Sequence, residues 1–330
     1  MAGDTGYDTV VESAAVRGSV VNTHTCLRVK DPKVSLAFYE KQFGMRLLKQ
    51  VDVAESRFSL YFLSFEKEFP HAENGSLKVF ATQGVLELTH NWGTEDDASF
   101  KVNNGNGEEN RGFGHVCFTT RDIAQACVTL EARGVSFKKR MSDGRQKDIA
   151  FVLDPDGYWI ELVQYPTVGT PSGQADDLGY KFNHTMVRVK DARKSVAFYT
   201  NVLGMQLLEK SVHENAKFTL YFLGYPADSE SREATGDRRA REGLLELTHN
   251  WGTEDDAEFR YHNGNDAPQG YGHICISCKD PEAFCNEVEQ KYGDKIAWAP
   301  KFNQGKMKNI AFLKDPDGYS VEVTPQTLFI

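Results

Sequence analysis

Four histidines and four glutamates stand in a recurring relationship along this chain. His24, His115, His184 and His273 each lie in a strand-like run, and each is followed by a glutamate in a later apolar run. These glutamates are Glu87, Glu161, Glu246 and Glu322, at separations of 63, 46, 62 and 49 residues. An ionised glutamate inside Val85-Leu-Glu-Leu88 or Tyr158-Trp-Ile-Glu-Leu162 costs several kcal/mol to bury unless a cation or a hydrogen-bonding partner meets it. One histidine in a strand is usually an ordinary hydrogen-bonded core residue, but four matched His/Glu pairs point to bound metal. Imidazole with carboxylate suits Zn2+, Fe2+, Ni2+ or Mn2+. No thiolate belongs to the set, so an open catalytic site fits better than a closed structural zinc site.

The separations are too long for a local motif. The pairs converge only if each small sheet curls until its first and last strands are neighbours. Strand alternation then tells what else shares the metal-facing side. His24, Cys26 and Arg28 share a face, as do His184, Met186 and Arg188; Glu87, Thr89 and Asn91 share one, as do Glu246, Thr248 and Asn250. An arginine beside a ligand histidine is suited to a carboxylate or phosphate, so the expected substrate is a small anionic molecule. His90 and His249 point the other way and read as structural.

These elements come from an internal repeat. Leu86 to Ala98 (LELTHNWGTEDDA) returns unchanged at Leu245 to Ala257, Arg28-Val-Lys-Asp31 at Arg188 to Asp191, and Asp154-Pro-Asp-Gly-Tyr158 at Asp315 to Tyr319. Residues 1–21 read as a flexible arm, 22–164 as repeat one, 165–181 as a linker rich in turn-formers, and 182–330 as repeat two, its matched part ending near Thr324. Each repeat divides again into two units, and each unit has a helix bounded by an aspartate N-cap and a glycine stop. The bounds are Asp31 to Gly44, Asp122 to Gly134, Asp191 to Gly204 and Asp280 to Gly293. Alternating runs after each helix complete a β-α-β-β-β pattern. The fold class expected is therefore α+β, with four βαβββ units forming curled, antiparallel-rich sheets. Asp-Pro-Asp-Gly is a tight turn and not a calcium loop, because the other EF-hand ligand positions are missing.

Composition excludes several classes. Thirty-eight basic against 47 acidic side chains give a net charge of −9 over 330 residues, which argues against a nucleic-acid binder. No apolar run is long enough to cross a membrane as a helix. Six cysteines in a chain of this length do not make a disulfide scaffold, and the N-terminal stretch has neither a basic start nor an apolar core, so the cytoplasm is the expected compartment. Cys275-Ile-Ser-Cys278 has no second cysteine pair to complete a zinc site. Asn74-Gly-Ser76 and Asn183-His-Thr185 match the glycosylation triplet by chance in a protein that is not secreted.

With these residues in view, the chain resembles the glyoxalase I (lactoylglutathione lyase) family in its fused two-repeat form, within the vicinal oxygen chelate superfamily. The resemblance covers about Asn22 to Thr324 and rests on LRVKDPKVSLAFYEKQFGM, SLYFL, LELTHNWGTEDD, RGFGH and DPDGYWIE. It implies a tandem of glyoxalase-type domains that isomerise the methylglyoxal–glutathione hemithioacetal to S-lactoylglutathione, with Zn2+ as the expected ion and Ni2+, Co2+, Mn2+ or Fe2+ as substitutes. It also implies that each site joins the first unit of one repeat to the second unit of the other. His24, Glu87, His273 and Glu322 would form one site, and His184, Glu246, His115 and Glu161 the other; spacing alone leaves this pairing open.

The resemblance further assigns the glutathione contacts to Arg28, Asn91, Arg188 and Asn250, with Arg111, Lys139 and Arg145 on the second-unit side of repeat one. In repeat two Gln269 stands where Arg111 does, Pro300 replaces Lys139 with Lys301 beside it, and Lys306 replaces Arg145, so sites of unequal glutathione affinity are expected. The base that takes the C1 proton and returns one to C2 is implied to be Glu161 and Glu322, a choice that spacing cannot make over Glu87 and Glu246. Phe58, Leu60 and Phe62, with Phe218, Leu220 and Phe222, are candidates for the methyl pocket or for plain core packing. Two rivals use the same fold: an Fe(II) ring-cleaving dioxygenase, which needs only two histidines and one carboxylate, and a non-catalytic binding protein, which gives no reason for buried His/Glu pairs in both repeats. Two halves carried in one chain make a monomer the expected solution state.

Overall fold

The computed structural model describes residues 5–11, 20–65, 78–166, 178–226, 236–306 and 308–328. Asn74-Gly-Ser76, most of the linker and much of the N-terminal arm lie outside them. The first unit contains β1 (Val21–Arg28), α1 (Pro32–Phe38), β2 (Arg46–Val53), β3 (Phe58–Ser64) and β4 (Val85–Asn91). The second contains β5 (Phe113–Thr120), α2 (Ile123–Ala132), β6 (Phe137–Lys139), β7 (Ile149–Leu153) and β8 (Trp159–Gln164). Repeat two follows with β9 (Lys181–Val189), α3 (Ala192–Ala197), β10 (Gln206–His213), β11 (Phe218–Gly224) and β12 (Leu244–Asn250), then β13 (Tyr271–Cys278), α4 (Pro281–Tyr292), β14 (Ala311–Lys314) and β15 (Ser320–Pro325).

The helix bounds follow the aspartate and glycine signals. Asp31 accepts a hydrogen bond from the Lys33 amide at 2.9 Å, Pro32 occupies the first turn where no amide partner is needed, and Gly44 closes the segment at φ 78°. In the first and third units the last turn widens into a π-helical turn, Tyr39–Phe43 and Phe198–Val202. It buries Tyr39, Phe43 and Tyr199 against the sheets.

The strands assemble across the repeats. One sheet has the order β14-β15-β13-β1-β4-β3-β2 and the other β10-β11-β12-β9-β5-β8-β7-β6. Within each unit the first and last strands are parallel neighbours, as β1 with β4 and β13 with β15, and nearly all other pairs are antiparallel. The seams between units are β1 with β13 and β5 with β9, each joining one repeat to the other. The repeats are thus units of sequence, while each sheet takes one unit from either repeat.

The fourth unit departs from β-α-β-β-β. Opposite β14, among the described residues, it has an isolated bridge, Trp298 to Leu313, in place of a strand. Pro300 stands where Lys139 does and has no N–H to extend a ladder.

Glycines fix the crossing of the repeats. A Cβ on Gly112 would lie 1.9 Å from the His262 carbonyl oxygen, and one on Gly270 1.8 Å from that of Asn103. Only glycine lets these backbones bridge, which gives the Gly of RGFGH its structural meaning. Phe113 and Tyr271 stack beside this crossing at 5.2 Å. The main core draws on all four units, with Tyr39, Phe118, Phe198 and Tyr271 among its largest members.

Residues 5–11 correct the expectation of a loose arm. Tyr7 meets Phe198 edge-on at 5.4 Å, its carbonyl accepts from Asn201, and Val11 is buried. Apolar contact with α4 and the turn after α3 holds this stretch down.

The Asp-Pro-Asp-Gly turns tie the two sheets together. Tyr39 Oη donates to Asp154 Oδ2 at 2.9 Å, and Tyr158 Oη donates to the Arg28 carbonyl at 3.0 Å; Tyr199, Asp315, Tyr319 and Arg188 repeat this. Burial, with Asp156 nearby, pushes the Asp154 carboxyl up to about 7, and burial with Asp317 pushes Asp315 up to about 8. The folded state therefore holds protons that the unfolded chain has already released. Stability present below the ordinary carboxylate range is lost as pH rises through about 7 to 8. Urea unfolding is expected to show a midpoint that falls from about pH 4, where the unfolded carboxylates ionise, and levels off above about pH 8, with Asp154→Asn and Asp315→Asn together flattening the slope; an unchanged slope would contradict this assignment.

Candidate metal centres

The seam between β1 and β13 pairs Cys26 with His273, and the parallel ladder of β1 with β4 pairs Cys26 with Glu87. His24 sits diagonally from both, and Glu322 enters from β15 opposite Cys275. These four ligand atoms gather in one buried group, and His115, Glu161, His184 and Glu246 form the second. In the first group His24 Nε2 lies 2.9 Å from Glu87 Oε2, 3.3 Å from Glu322 Oε2 and 3.3 Å from His273 Nε2. In the second, His184 Nε2 lies 3.0 Å from Glu246 Oε2, 3.4 Å from Glu161 Oε2 and 3.4 Å from His115 Nε2. Donors at bond lengths of about 2.0–2.2 Å around one ion stand about 2.8–3.1 Å apart in an octahedral arrangement and about 3.3–3.6 Å apart in a tetrahedral one. The two groups fit a divalent cation by donor type, spacing and burial.

Supporting contacts orient the donors. Thr89 Oγ1 donates to Glu87 Oε1 at 2.9 Å and Thr248 Oγ1 to Glu246 Oε1 at 3.1 Å, leaving Oε2 of each turned to the centre. Among the described residues no hydroxyl pins Glu161 or Glu322 in this way. Asn183 Oδ1 stands 2.7 Å from His184 Nδ1; a carbonyl oxygen can only accept, so Nδ1 carries a proton and Nε2 is the nitrogen turned to the carboxylates and left for an ion. Thr23 takes the same position on His24 at 3.0 Å. Alternation of the strand already grouped Thr89 and Thr248 with the glutamates. Thr23 and Asn183 escaped it, because a residue adjacent to a ligand is assigned to the opposite face.

Burial alone would disfavour a charged imidazole, but Cys275 and the carboxylates of Glu322 and Glu87 outweigh it and raise His24 well above its usual value. His184 and His273 are raised in the same manner. Burial likewise opposes ionised glutamate, yet the two histidines prevail, holding Glu322 down to about 2 and Glu87 and Glu161 well below their usual range. A cation therefore enters by displacing protons from His24, His184 and His273, while the carboxylates are already ionised.

A cavity of about 950 Å³ opens onto the second group and is lined by Arg111, Arg188, Asn250, Phe218, Leu220 and Phe222, among others. Arg188 is fixed by carbonyls of Gly105, Gly112 and Phe113 and by Asn106 Oδ1, and Arg28 by Gly270, Tyr271 and Asn265. Each arginine is thus aimed by the opposite repeat. Asn250 donates to Tyr261 Oη at 2.9 Å, whereas in repeat one the place of Tyr261 is taken by Val102, which has no hydroxyl to accept from Asn91.

Lys139 does not reach the cavity. Its ammonium donates to the carbonyls of Gln146 and Ile149 at 2.7 and 3.0 Å, inside its own loop. Arg145 and Lys306 stand exposed on loops. His90 and His249 pair with Glu95 and Glu254 at 2.7 Å, away from the centres.

Residues 23–162 and 181–323 each match the family model of the glyoxalase/bleomycin resistance protein/dioxygenase superfamily. The chain is 59% identical over 327 residues to glyoxalase I of Saccharomyces cerevisiae, covering 98% of both chains. It is 50% identical to lactoylglutathione lyase of Schizosaccharomyces pombe, covering 92% of this chain and 95% of that one. A crystal structure of glyoxalase I from Zea mays superposes with a TM-score of 0.69 at 27% identity, covering 94% of this chain and 93% of the other.

Proposed function

The chain belongs to the glyoxalase I family, and on that premise we propose that it isomerises the hemithioacetal of methylglyoxal and glutathione to S-lactoylglutathione at two active sites. The observation that carries this reading is the pair of buried His2Glu2 groups, each beside an arginine aimed by the opposite repeat. His24, Glu87, His273 and Glu322 would hold one divalent ion and His184, Glu246, His115 and Glu161 the other, with Zn2+ the first choice for this donor set. A bound ion supplies charge stabilisation to the substrate oxygens as the C1 proton leaves.

The proton itself is carried by the protein. Glu161 and Glu322, which no threonine among the described residues pins, take it from C1 and return a proton to C2, so no net redox change occurs. Glu87 and Glu246, held by Thr89 and Thr248, serve as fixed ligands. Arg28 with Asn91, and Arg188 with Asn250 and Arg111, receive the glutathione carboxylates. Because one chain contains both halves of each site, it acts as a monomer, and its six unpaired cysteines suit the cytosol.

The test is an assay of metal-loaded protein with methylglyoxal and glutathione, following thioester formation and dissolved oxygen together. Thioester is expected to accumulate with no oxygen uptake. Oxygen consumption with a catechol and no thioester would favour the dioxygenase, and ligand binding without turnover would favour the binding protein.

A further inference from the structure

The two centres differ at the end opposite their arginines. His184 lies midway along β9, and Arg188, four residues on, is about 13 Å from it at strand rise. At the other end of β9 packs the short 3-10 turn Arg238–Ala240. Asn183, which orients His184, donates to the carbonyls of Arg238 and Arg241 at 2.8 and 2.6 Å. The cavity runs between these ends, with the glutathione anchor at one and this turn at the other. The turn therefore faces the substituent of the oxoaldehyde.

The corresponding turn in repeat one is Val79–Ala81. Counted back from Glu87 and Glu246, Val79 stands where Arg238 does and Phe80 where Arg239 does. Phe80 meets the His24 ring edge-on at 5.6 Å and Phe62 at 5.9 Å, and Val79 and Phe80 are buried in one apolar cluster that Leu60 and Leu328 pack against. At the second centre the Arg238 guanidinium lies 3.4 Å from the Phe222 ring centroid, and Phe222 meets His184 edge-on at 5.5 Å. Arg238 pairs with Glu209 at 2.7 Å and Arg239 with Asp237 at 2.6 Å, both on partly exposed acids. Such surface pairs are weak enough for a ligand carboxylate to compete. A carboxylate against Phe80 would instead be desolvated without a partner.

We propose that the two sites divide 2-oxoaldehydes by side chain, with the His24 site taking apolar ones and the His184 site taking those ending in a carboxylate, which Arg238 and Arg239 receive. This rests on the isomerase reading of both sites. The test uses the full-length, zinc-loaded chain and two non-reacting conjugates of equal length, S-butylglutathione and S-(3-carboxypropyl)glutathione, titrated by calorimetry. The carboxylated conjugate is expected to separate into two classes of sites differing about tenfold, the scale of one charge-assisted hydrogen bond. Arg238→Val with Arg239→Phe should weaken its tighter class about tenfold while butyl binding there holds or tightens. Arg238→Gln, which keeps a polar side chain on Phe222, should move the same class in the same direction and serves if the double variant fails to fold. Equal effects on both conjugates, or none on either, would overturn the proposal. Failure of both conjugates to bind the unaltered chain would instead sink the isomerase reading itself.

Discussion

Replacing Glu161 and Glu322 together by glutamine is expected to lower kcat for the methylglyoxal–glutathione adduct by about 10²- to 10⁴-fold, the contribution of a positioned general base. Glutamine keeps the volume and one oxygen but cannot take a proton. Either replacement alone spares one site, so a substantial part of the activity survives in at least one single variant. The matching change at Glu87 and Glu246 separates ligation from proton transfer. Those carboxylates are pinned by Thr89 and Thr248, so their replacement should weaken metal retention more than it lowers kcat at saturating metal. Equal loss of kcat in both double variants at saturating metal would remove the distinction between base and ligand.

The second large effect depends on which residues share a site. His24→Ala with Glu322→Gln damages only the first centre, because His24 and Glu322 stand 3.3 Å apart, and should leave the second centre's turnover intact. His24→Ala with Glu161→Gln damages one residue in each centre and should abolish activity to the extent that the Glu161 and Glu322 double variant does. The two double variants carry the same types of substitution, so a general loss of stability cannot produce the contrast. Equal activity in the two would contradict assembly from both repeats.

Much of this arrangement was legible in the sequence because it is repeated. Thirteen identical residues from Leu86 and Leu245 established the duplication, and four aspartate-to-glycine spans located the helices. The ligand histidines and glutamates could be found because a buried charge needs a partner, and the parallel pairing of β1 with β4 is the curl their separations required. The exchange of units between sheets was not legible from spacing. It depends on the seams β1 with β13 and β5 with β9, and no pattern within one strand reports which distant strand lies beside it.

Side chains whose role depends on a rotamer were also out of reach. Lys139 had the right charge and position in the chain, but its ammonium turns back to two carbonyls of its own loop. Asn183 looked like part of a chance glycosylation triplet and proved to orient His184. The arginines at 238 and 239 lie in a stretch where the repeats differ in residue type, with Val79 and Phe80 at the corresponding places, and only the structure sets Arg238 on the Phe222 ring that meets His184.

Metal content per chain tests the central claim most directly, that two centres are each built from both repeats. Elemental analysis of the zinc-loaded chain should find two ions, one in His24→Ala with His273→Ala, and none in His24→Ala with His115→Ala. The opposite order, with the first variant empty and the second retaining one ion, would place each centre within a single repeat and contradict the account.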